Sequence, residues 1–226
     1  MNNDVEITVR GSHRVHAPAE RGTVALTVAL ENRSAESVFA AVAQSAEILT
    51  ERIRRLHDPV SGPVTWWSAR RLETWARRPW NQDGKELPLK HHARVRFQVK
   101  FRDFDALSRF TADAIEVHGV EVDDTVWTLT EKRRDAVVSD VRAAAVRDAR
   151  ARAQAYADAL ALGPVVPVAI ADPGMLGTAE PAGPIAEFRS AAMPAAPAGG
   201  GRQVSLTPEE ITVEQQVDAR FRLAPG

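Results

Sequence analysis

Residues 134–162 have the sequence RDAVVSDVRAAAVRDARARAQAYADALAL. Apolar and small residues recur in steps of three and four, which is the period of an α-helix with one packed face. The stretch therefore predicts a helix of roughly 40 Å, at about 1.5 Å per residue. Its packed face is mostly alanine, so it can lie close to a sheet or to another helix. The predicted face consists of Val138, Val141, Ala145, Ala149, Ala153, Tyr156 and Leu160.

Shorter elements flank this helix. Residues 5–10 and 23–30 alternate between polar and apolar side chains, and we expect them to pair as a β-hairpin. Ser34 and Asp103 are suitable N-caps, and each precedes a segment with an apolar helical face. Further strands are predicted at residues 64–74, 94–101, 121–130, 165–171 and 212–223, and a flexible loop rich in Pro, Gly and Ala is predicted at residues 172–204.

The order of these elements predicts the fold class. Residues 23–130 run strand-helix-strand-strand-helix-strand, which is the order of a ferredoxin-like unit. We expect an α+β fold with a mainly antiparallel sheet and helices packed on one face. The long helix and the two late strands would add a second layer. Residues 1–226 are predicted to form a single domain with two lobes, residues 1–131 and residues 132–226.

The charge is balanced overall but uneven along the chain. The formal net charge of the 226 residues is −1, which argues against nucleic acid as a partner. From Arg70 to Arg102, however, the sequence contains ten Lys and Arg residues and only three acidic residues, Glu73, Asp83 and Glu86. This segment is therefore a local basic region in an otherwise acidic chain.

The sequence lacks cysteine, a recognisable secretory signal and a membrane-spanning segment. It contains no cysteine, which excludes disulfides and thiol catalysis. The first residues have neither a basic nor an apolar region typical of a secretory signal. No apolar run approaches the ~20 residues of a membrane helix. We therefore expect a cytoplasmic protein with no membrane span.

Common catalytic and nucleotide-binding sequence motifs are also absent. There is no Gly-x-Ser-x-Gly elbow, no P-loop and no Gly-x-Gly-x-x-Gly segment after a strand. His91 and His92 are adjacent, but neighbours on a strand point to opposite faces and cannot easily share one metal ion. We therefore predict no catalytic residue, no cofactor and no metal site, and expect that the protein is not an enzyme.

Short features spread along the chain occur in a distinctive order. They are an opening strand that ends at Gly11, Pro18 before the next strand, Phe101-Arg102-Asp103-Phe104, Leu160-Ala161-Leu162-Gly163-Pro164-Val165, Pro208 ahead of Ile211-Thr212-Val213, and Phe221-Arg222-Leu223. With these features the chain resembles the SIMPL-domain family over nearly its whole length.

The resemblance implies a family that is largely of unknown function, with no catalytic residues to carry over. It also implies that bacterial relatives form large homo-oligomers, are often exported and are linked to oxidative-stress tolerance, and that one animal member associates with a kinase. The chain departs from that pattern in lacking an export signal. It also carries a tryptophan- and arginine-rich stretch that is not a feature of the family.

That stretch is the strongest candidate for an interaction surface. Arginine beside tryptophan suits stacking, cation–π contacts or an anionic partner. Three interpretations remain open: a structural strand whose arginines cover apolar rings, a protein interface that includes self-association, and a site for nucleic acid or another polyanion. The candidate residues are Trp66, Trp67, Arg70, Arg71, Trp75, Arg77, Arg78 and Trp80.

Three functional hypotheses follow, of which the last, a hydrolase or metal enzyme, requires residues remote in sequence to converge in space. In the first, the protein is a non-enzymatic, self-assembling SIMPL-type protein with a stress-related or scaffold role, so its main partner is a second copy of itself. In the second, it is a binding module whose basic hairpin, residues 66–102, docks an acidic protein or a polyanion. The charge balance disfavours nucleic acid in the first two cases.

Overall fold

The structure is a computed structural model that describes residues 5–80, 86–176 and 207–225. The described residues form eight strands and three helices, so the predicted α+β class is confirmed. These elements are β1 (Glu6–Pro18), β2 (Arg21–Asn32), α1 (Ala35–Leu56), β3 (Val64–Ala69), β4 (Glu73–Arg77), β5 (Lys90–Phe101), α2 (Phe104–Ala114), β6 (Val120–Thr128), α3 (Glu131–Ala159), β7 (Val165–Ala171) and β8 (Glu210–Leu223).

The strands form two antiparallel sheets instead of the one sheet expected from the sequence. One has three strands in the order β1-β8-β7, and the other has the order β3-β5-β2-β6 with β4 also paired to β5. The chain divides into two compact units along the same line. The first unit contains β1, α3, β7 and β8, and the second contains the remaining elements.

The first unit consists of α3 packed on the three-stranded sheet. Glycine and alanine allow the helix to come very close to β1. A Cβ atom on Gly11 would lie 2.1 Å from the carbonyl oxygen of Ala145 and 2.7 Å from the Cβ of Ala149. Larger side chains fill the rest of this core, including Ile7, Val217 and Phe221. Gly11 therefore lies inside β1 at a close contact, and the predicted end of the strand at Gly11 is wrong.

The predicted hairpin between the first two strands is also wrong. β1 pairs along its whole length with β8, from Glu6 opposite Arg222 to Pro18 opposite Glu210. β2 has no edge left for β1, because β5 and β6 occupy its two sides. Alternation of polar and apolar residues gives the buried face of a strand, but it does not identify the neighbouring strand.

The buried face of α3 differs from the predicted face at both ends. Val141, Ala145, Ala149 and Ala153 are buried as predicted. The face continues in steps of four to Val137 and Ala157, whereas Tyr156 and Leu160 are 60% and 65% exposed and Val138 is half-buried. Each step of four residues turns about 40° beyond a full turn, so the contact line winds around the helix.

The second unit places α1 and α2 on one face of the five-stranded sheet. The predicted N-caps are confirmed, since Ser34 Oγ accepts a hydrogen bond from Ser37 N at 3.3 Å and Asp103 Oδ1 accepts one from Ala106 N at 2.9 Å. Alternate residues of the central strands face these helices. The core includes Val24, Leu26 and Val28 of β2, Val95, Phe97 and Val99 of β5, Val42, Leu49 and Ile53 of α1, and Leu107 and Phe110 of α2.

The second unit has one more strand than the predicted order. The single strand expected at residues 64–74 is divided into β3 and β4, and both lie along the same edge of β5. The backbone between them keeps one contact, because Arg70 N donates to Arg96 O at 2.8 Å. β3 and β4 therefore form an interrupted edge strand.

Two remaining expectations concern the late loop and the membrane. Of the predicted loop at residues 172–204, only residues 172–176 are among those described, and they form a turn in which Gly174 has a φ of +82°. The Gly174 amide donates to Asp218 Oδ2 at 2.7 Å. Across the described ranges, no helix combines the length and apolar character needed to cross a bilayer.

Candidate functional site

The candidate site lies on the face of the five-stranded sheet opposite α1 and α2, which we call the outer face. Odd-numbered residues of β5, from Ala93 to Phe101, are buried beneath the helices. The even-numbered residues point to the outer face because side chains alternate along a strand. This outer set consists of Lys90, His92, Arg94, Arg96, Gln98 and Lys100.

Trp66 and Trp75 join this set on the outer face. Residues that are opposite each other in an antiparallel pair share a face. Trp66 is opposite Lys100, whose Nζ lies 5.6 Å from the centroid of the indole ring. Trp75 is opposite His92, and their rings stack with centroids 5.1 Å apart and planes 5° apart. Both tryptophans keep more than two fifths of their surface exposed, at 45% and 41%.

The other two tryptophans of the candidate stretch lie elsewhere. Trp67 is opposite Val99, so it shares the face of the helices and is half-buried. Trp80 follows β4 and is 79% exposed. The structure therefore places two of the four predicted tryptophans on the outer face, opposite Lys100 and His92 near the two ends of β5.

The predicted arginines are all exposed but belong to different parts of the hairpin. Arg70 and Arg71 occupy the break between β3 and β4. Arg77 is opposite Lys90 on the outer face. Arg78 lies beyond β4, where its Nη1 atom is 2.7 Å from Glu86 Oε1. Residues 81–85 of the predicted hairpin lie outside the described residues.

Sequence reasoning included the cations of β5 in the basic hairpin but did not name them as site residues, although they form a charged column along the outer face. Arg94 is central to it. Its guanidinium lies 5.0 Å from the Trp75 ring centroid, and its Nε atom is 2.7 Å from Glu73 Oε2. The alternation of cations with Ala93, Val95, Phe97 and Val99 was the signal that could have found this column, because it predicts one strand with a cationic face.

Two carboxylates lie among these cations. The hydrogen bond from Arg94 holds the pKa of Glu73 below its usual range, and Arg94, Arg96 and Arg70 add electrostatic attraction. Glu31 on β2 is bonded to Lys90, which together with nearby His92 lowers its pKa as well. Both residues are therefore anionic at neutral pH and neutralise part of the basic column.

Acidic residues lie on the opposite side of the same face. Glu121 and Asp124 of β6 are opposite Thr27 and Ala25 of β2, and Thr27 Oγ1 donates to Asp123 Oδ2 at 2.7 Å. β2 lies between β5 and β6 and contributes only short side chains over four outer positions. These are Thr23, Ala25, Thr27 and Ala29. The outer face therefore has a basic side, a shallow centre and an acidic side.

The arrangement suits binding more than bond-making chemistry. Guanidinium groups beside exposed indole rings can contact carboxylates, phosphates and flat apolar groups. His91 and His92 face opposite sides of β5, with His91 opposite Ala76 and His92 opposite Trp75. Within the described parts of the chain, no group of three or more His, Asp or Glu side chains is close enough to hold a metal ion.

A family comparison agrees with the sequence resemblance. The model described as "SIMPL: Protein of unknown function (DUF541)" matches residues 7–221. The chain belongs to the SIMPL family. That SIMPL description gives no activity, substrate or partner.

Other comparisons add little to the SIMPL assignment. No match is found among the curated proteins. Among solved structures, the SIMPL chain matches the crystal structure of an amidase of the hydantoinase/carbamoylase family from Burkholderia phymatum. The identity is 13%, the match covers 62% of this chain and 37% of the amidase, and the TM-score is 0.25. A match this weak supports no inference about fold or activity.

Proposed function

We propose that this SIMPL protein is a non-enzymatic binding module whose outer face docks an acidic segment of a partner protein. The observation that carries the proposal is the column of cations on β5 with Trp66 and Trp75 half-exposed beside it. Exposed tryptophan and arginine are the residue types that most often contribute large binding energies at protein interfaces. The face therefore has both apolar anchors and charge.

A protein partner fits this face better than a nucleic acid. The acidic residues of β6 lie across the shallow centre from the cations and would repel a phosphate backbone running over the sheet. An acidic peptide can lie along β5 and the interrupted edge strand while it avoids β6. The formal net charge of −1 favours the same choice.

The direct test uses a poly-glutamate peptide as the probe and intrinsic tryptophan fluorescence as the readout. Trp66 and Trp75 lie within the face, so binding should change their emission. The variant R96Q/K100Q removes two cations of the column, and we expect its affinity to fall about tenfold or more. Binding of the unmodified protein should weaken steeply with salt.

The matched control is R142Q/R150Q, which removes the same charge from exposed positions on α3. It should leave the affinity within about twofold, because neither arginine belongs to the outer face and salt screens the effect of net charge alone. An equal loss in both variants would mean that net charge alone drives binding, and the proposed face would be refuted. A poly-lysine peptide should not bind to the column.

A second candidate function is self-assembly, and the charge pattern of the same face favours it. Two copies related by a two-fold axis can place the basic β5 column of one over the acidic β6 residues of the other, because a two-fold interface is self-complementary. The stress-related or scaffold role implied by the sequence resemblance would then be a property of the assembly. Light scattering after size-exclusion chromatography tests this idea; a 24.6 kDa species at high concentration and low salt would contradict it.

A further inference from the structure

A cleft that is separate from the outer face lies in the second unit, where α1 ends and α2 begins. Its volume is about 500 Å³, within the range of small-molecule sites. Four arginines line it, together with two aspartates, and the apolar part of the wall comes from Leu56, Pro63 and Phe110. The four arginines are Arg52, Arg55, Arg102 and Arg109.

One wall of the cleft is a loop that its own hydrogen bonds hold in place. Asp58 accepts hydrogen bonds from Val60 N at 2.8 Å and from the Ser61 hydroxyl at 2.5 Å. The Ser61 hydroxyl and the backbone amides of Val60 and Ser61 lower the pKa of Asp58, with a smaller contribution from Arg102. Arg102 donates to the carbonyl oxygens of Pro59 and Val60, both at 2.6 Å. The wall is therefore organised without a ligand.

The cations of the cleft are only partly used within the protein. Arg52 donates to the backbone oxygen of Asp113, and the carboxylate of Asp103 caps α2. The guanidinium groups of Arg55 and Arg109 are exposed and have no hydrogen-bond or ion-pair partner in the described part of the chain. The buried Nε of Arg102 also has no hydrogen-bond partner there. The lining therefore keeps a net positive charge with free guanidinium donors.

We propose that this cleft binds a small organic phosphate, with the phosphate held by Arg55 and Arg109 and the organic part against Leu56, Pro63 and Phe110. A phosphate monoester carries a charge of about −1.5 to −2 at neutral pH, which matches the excess of two positive charges in the lining. Arginine binds phosphate through paired N–H donors. The apolar wall favours a phosphate that carries an apolar group over inorganic phosphate.

The test uses phenyl phosphate as the probe, titrated by calorimetry at constant ionic strength. Wild-type protein should bind one molecule per chain, and more tightly than inorganic phosphate or succinate. The variant R55Q/R109Q should bind phenyl phosphate about tenfold more weakly or worse, as expected when hydrogen bonds to a charged group are lost. Both positions are exposed and unpaired in the described structure, so folding should be preserved.

The control is R54Q/R142Q, which has the same change of charge. Arg54 is next to Arg55 in sequence but pairs with Glu47 and Glu51, and it does not line the cleft. This variant should keep the affinity for phenyl phosphate within about twofold. The proposal is overturned if the wild type shows no saturable binding, if both variants lose affinity equally, or if inorganic phosphate or succinate binds as tightly as phenyl phosphate.

An independent readout is the amide NMR spectrum. Phenyl phosphate should shift the signals of Ser61 and Gly62, which line the cleft, and leave those of Trp66 and Trp75 unchanged. Shifts confined to the outer face would refute the assignment of the site. This pattern also separates the cleft from the proposed function, because poly-glutamate should give the opposite set of shifts.

Discussion

The two sheets arrange the charges of their helix-free faces in different ways. On the three-stranded sheet, opposite charges are direct neighbours across β1 and β8: Arg10 is opposite Asp218, and Arg14 is opposite Glu214. On the five-stranded sheet, cations follow one another along β5, and most of the carboxylates lie on β6, with the short side chains of β2 between them. The first pattern pairs its charges across neighbouring strands, whereas the second leaves part of the basic column on β5 without a carboxylate partner on the adjacent strand β2.

The two units also cover the other face of each sheet differently. α3 lies on its sheet through glycine and alanine, and the contact distances leave no room for a larger side chain at Gly11. α1 and α2 instead pack through Leu49, Ile53 and Phe110, which are longer and can shift between rotamers. We therefore expect the first unit to be the less tolerant of change and the second to carry the binding function.

The largest predicted effect is that of Gly11→Val. The new side chain would overlap the backbone of α3 at Ala145, and a shift of the helix away from β1 would separate the alanine contacts of this core. We expect the free energy of unfolding of the first unit to fall by about 3 kcal/mol or more. Urea unfolding followed by far-UV circular dichroism should show a lower midpoint.

Tryptophan fluorescence provides an internal reference for that experiment. All five tryptophans belong to the second unit, so their emission reports on that unit alone. The fluorescence midpoint should change less than the circular dichroism midpoint. The matched control is Gly163→Ala, because an added Cβ there has no atom within 4 Å; its unfolding free energy should stay within about 0.5 kcal/mol. An equal effect of both substitutions would contradict the close-packing explanation.

A smaller effect is predicted for Asp218→Asn, which weakens a partly buried ion pair of the first unit. Arg10 donates to both carboxylate oxygens, at 2.7 and 3.1 Å, and Gly174 N donates to one of them. We expect a loss of about 1–2 kcal/mol at pH 7. The exposed substitution Asp140→Asn on α3 should have almost no effect.

The pH dependence of this loss is also predicted. The bond from Arg10, followed by that from Gly174, holds the pKa of Asp218 below its usual range in the folded state. A lowered folded pKa gives stability that is present above the unfolded pKa of about 3.9 and disappears as the pH falls through the folded value. The stability difference between wild type and Asp218→Asn should therefore shrink below about pH 4. A constant difference down to pH 2 would contradict this.

Sequence reasoning succeeded where the signal is local. The helical period of residues 134–162 predicted α3 and the central residues of its buried face, Val141 to Ala153. The helix caps at Ser34 and Asp103 were equally clear. The failures came from information that the local pattern does not contain. Alternation in β1 shows a buried face, but only the full ladder with β8, some 200 residues later in the chain, identifies its partner.

The candidate site was also only partly predictable from the sequence. The Trp/Arg stretch was found from composition, yet composition does not say which side chains share a face. The pairing register shows which side chains share a face. Trp66 and Trp75 are opposite outward-facing residues of β5, and Trp67 is opposite an inward-facing residue. The break between β3 and β4 changes the alternation, so counting along residues 64–77 alone gives the wrong face for one part. The column on β5 was predictable, and the meeting of that column with the tryptophans was not.

A modest gain of binding is predicted for Glu73→Gln. Glu73 neutralises Arg94 and Arg96, and its removal should free both cations for an acidic partner. We expect poly-glutamate to bind about two- to fivefold more tightly. Asp218→Asn also removes one negative charge, but it lies in the other unit and should leave this affinity unchanged. If both substitutions tighten binding equally, the separation between internally paired and available charges is wrong.

The smallest predicted effect concerns a second ion pair on the three-stranded sheet, Arg14 with Glu214. It has the same cross-strand arrangement as the pair of Arg10 with Asp218, but the Arg14 side chain is 60% exposed and that of Arg10 is 37% exposed. Water screens the attraction between the exposed charges and solvates the separated side chains almost as favourably as the ion pair. Arg14→Gln should therefore lower the free energy of unfolding by about 0.5 kcal/mol or less. Urea unfolding of Arg14→Gln and Asp218→Asn under one set of conditions gives the comparison. A loss at Arg14 as large as the loss at Asp218 would show that register, and not burial, sets the contribution of charges on this sheet.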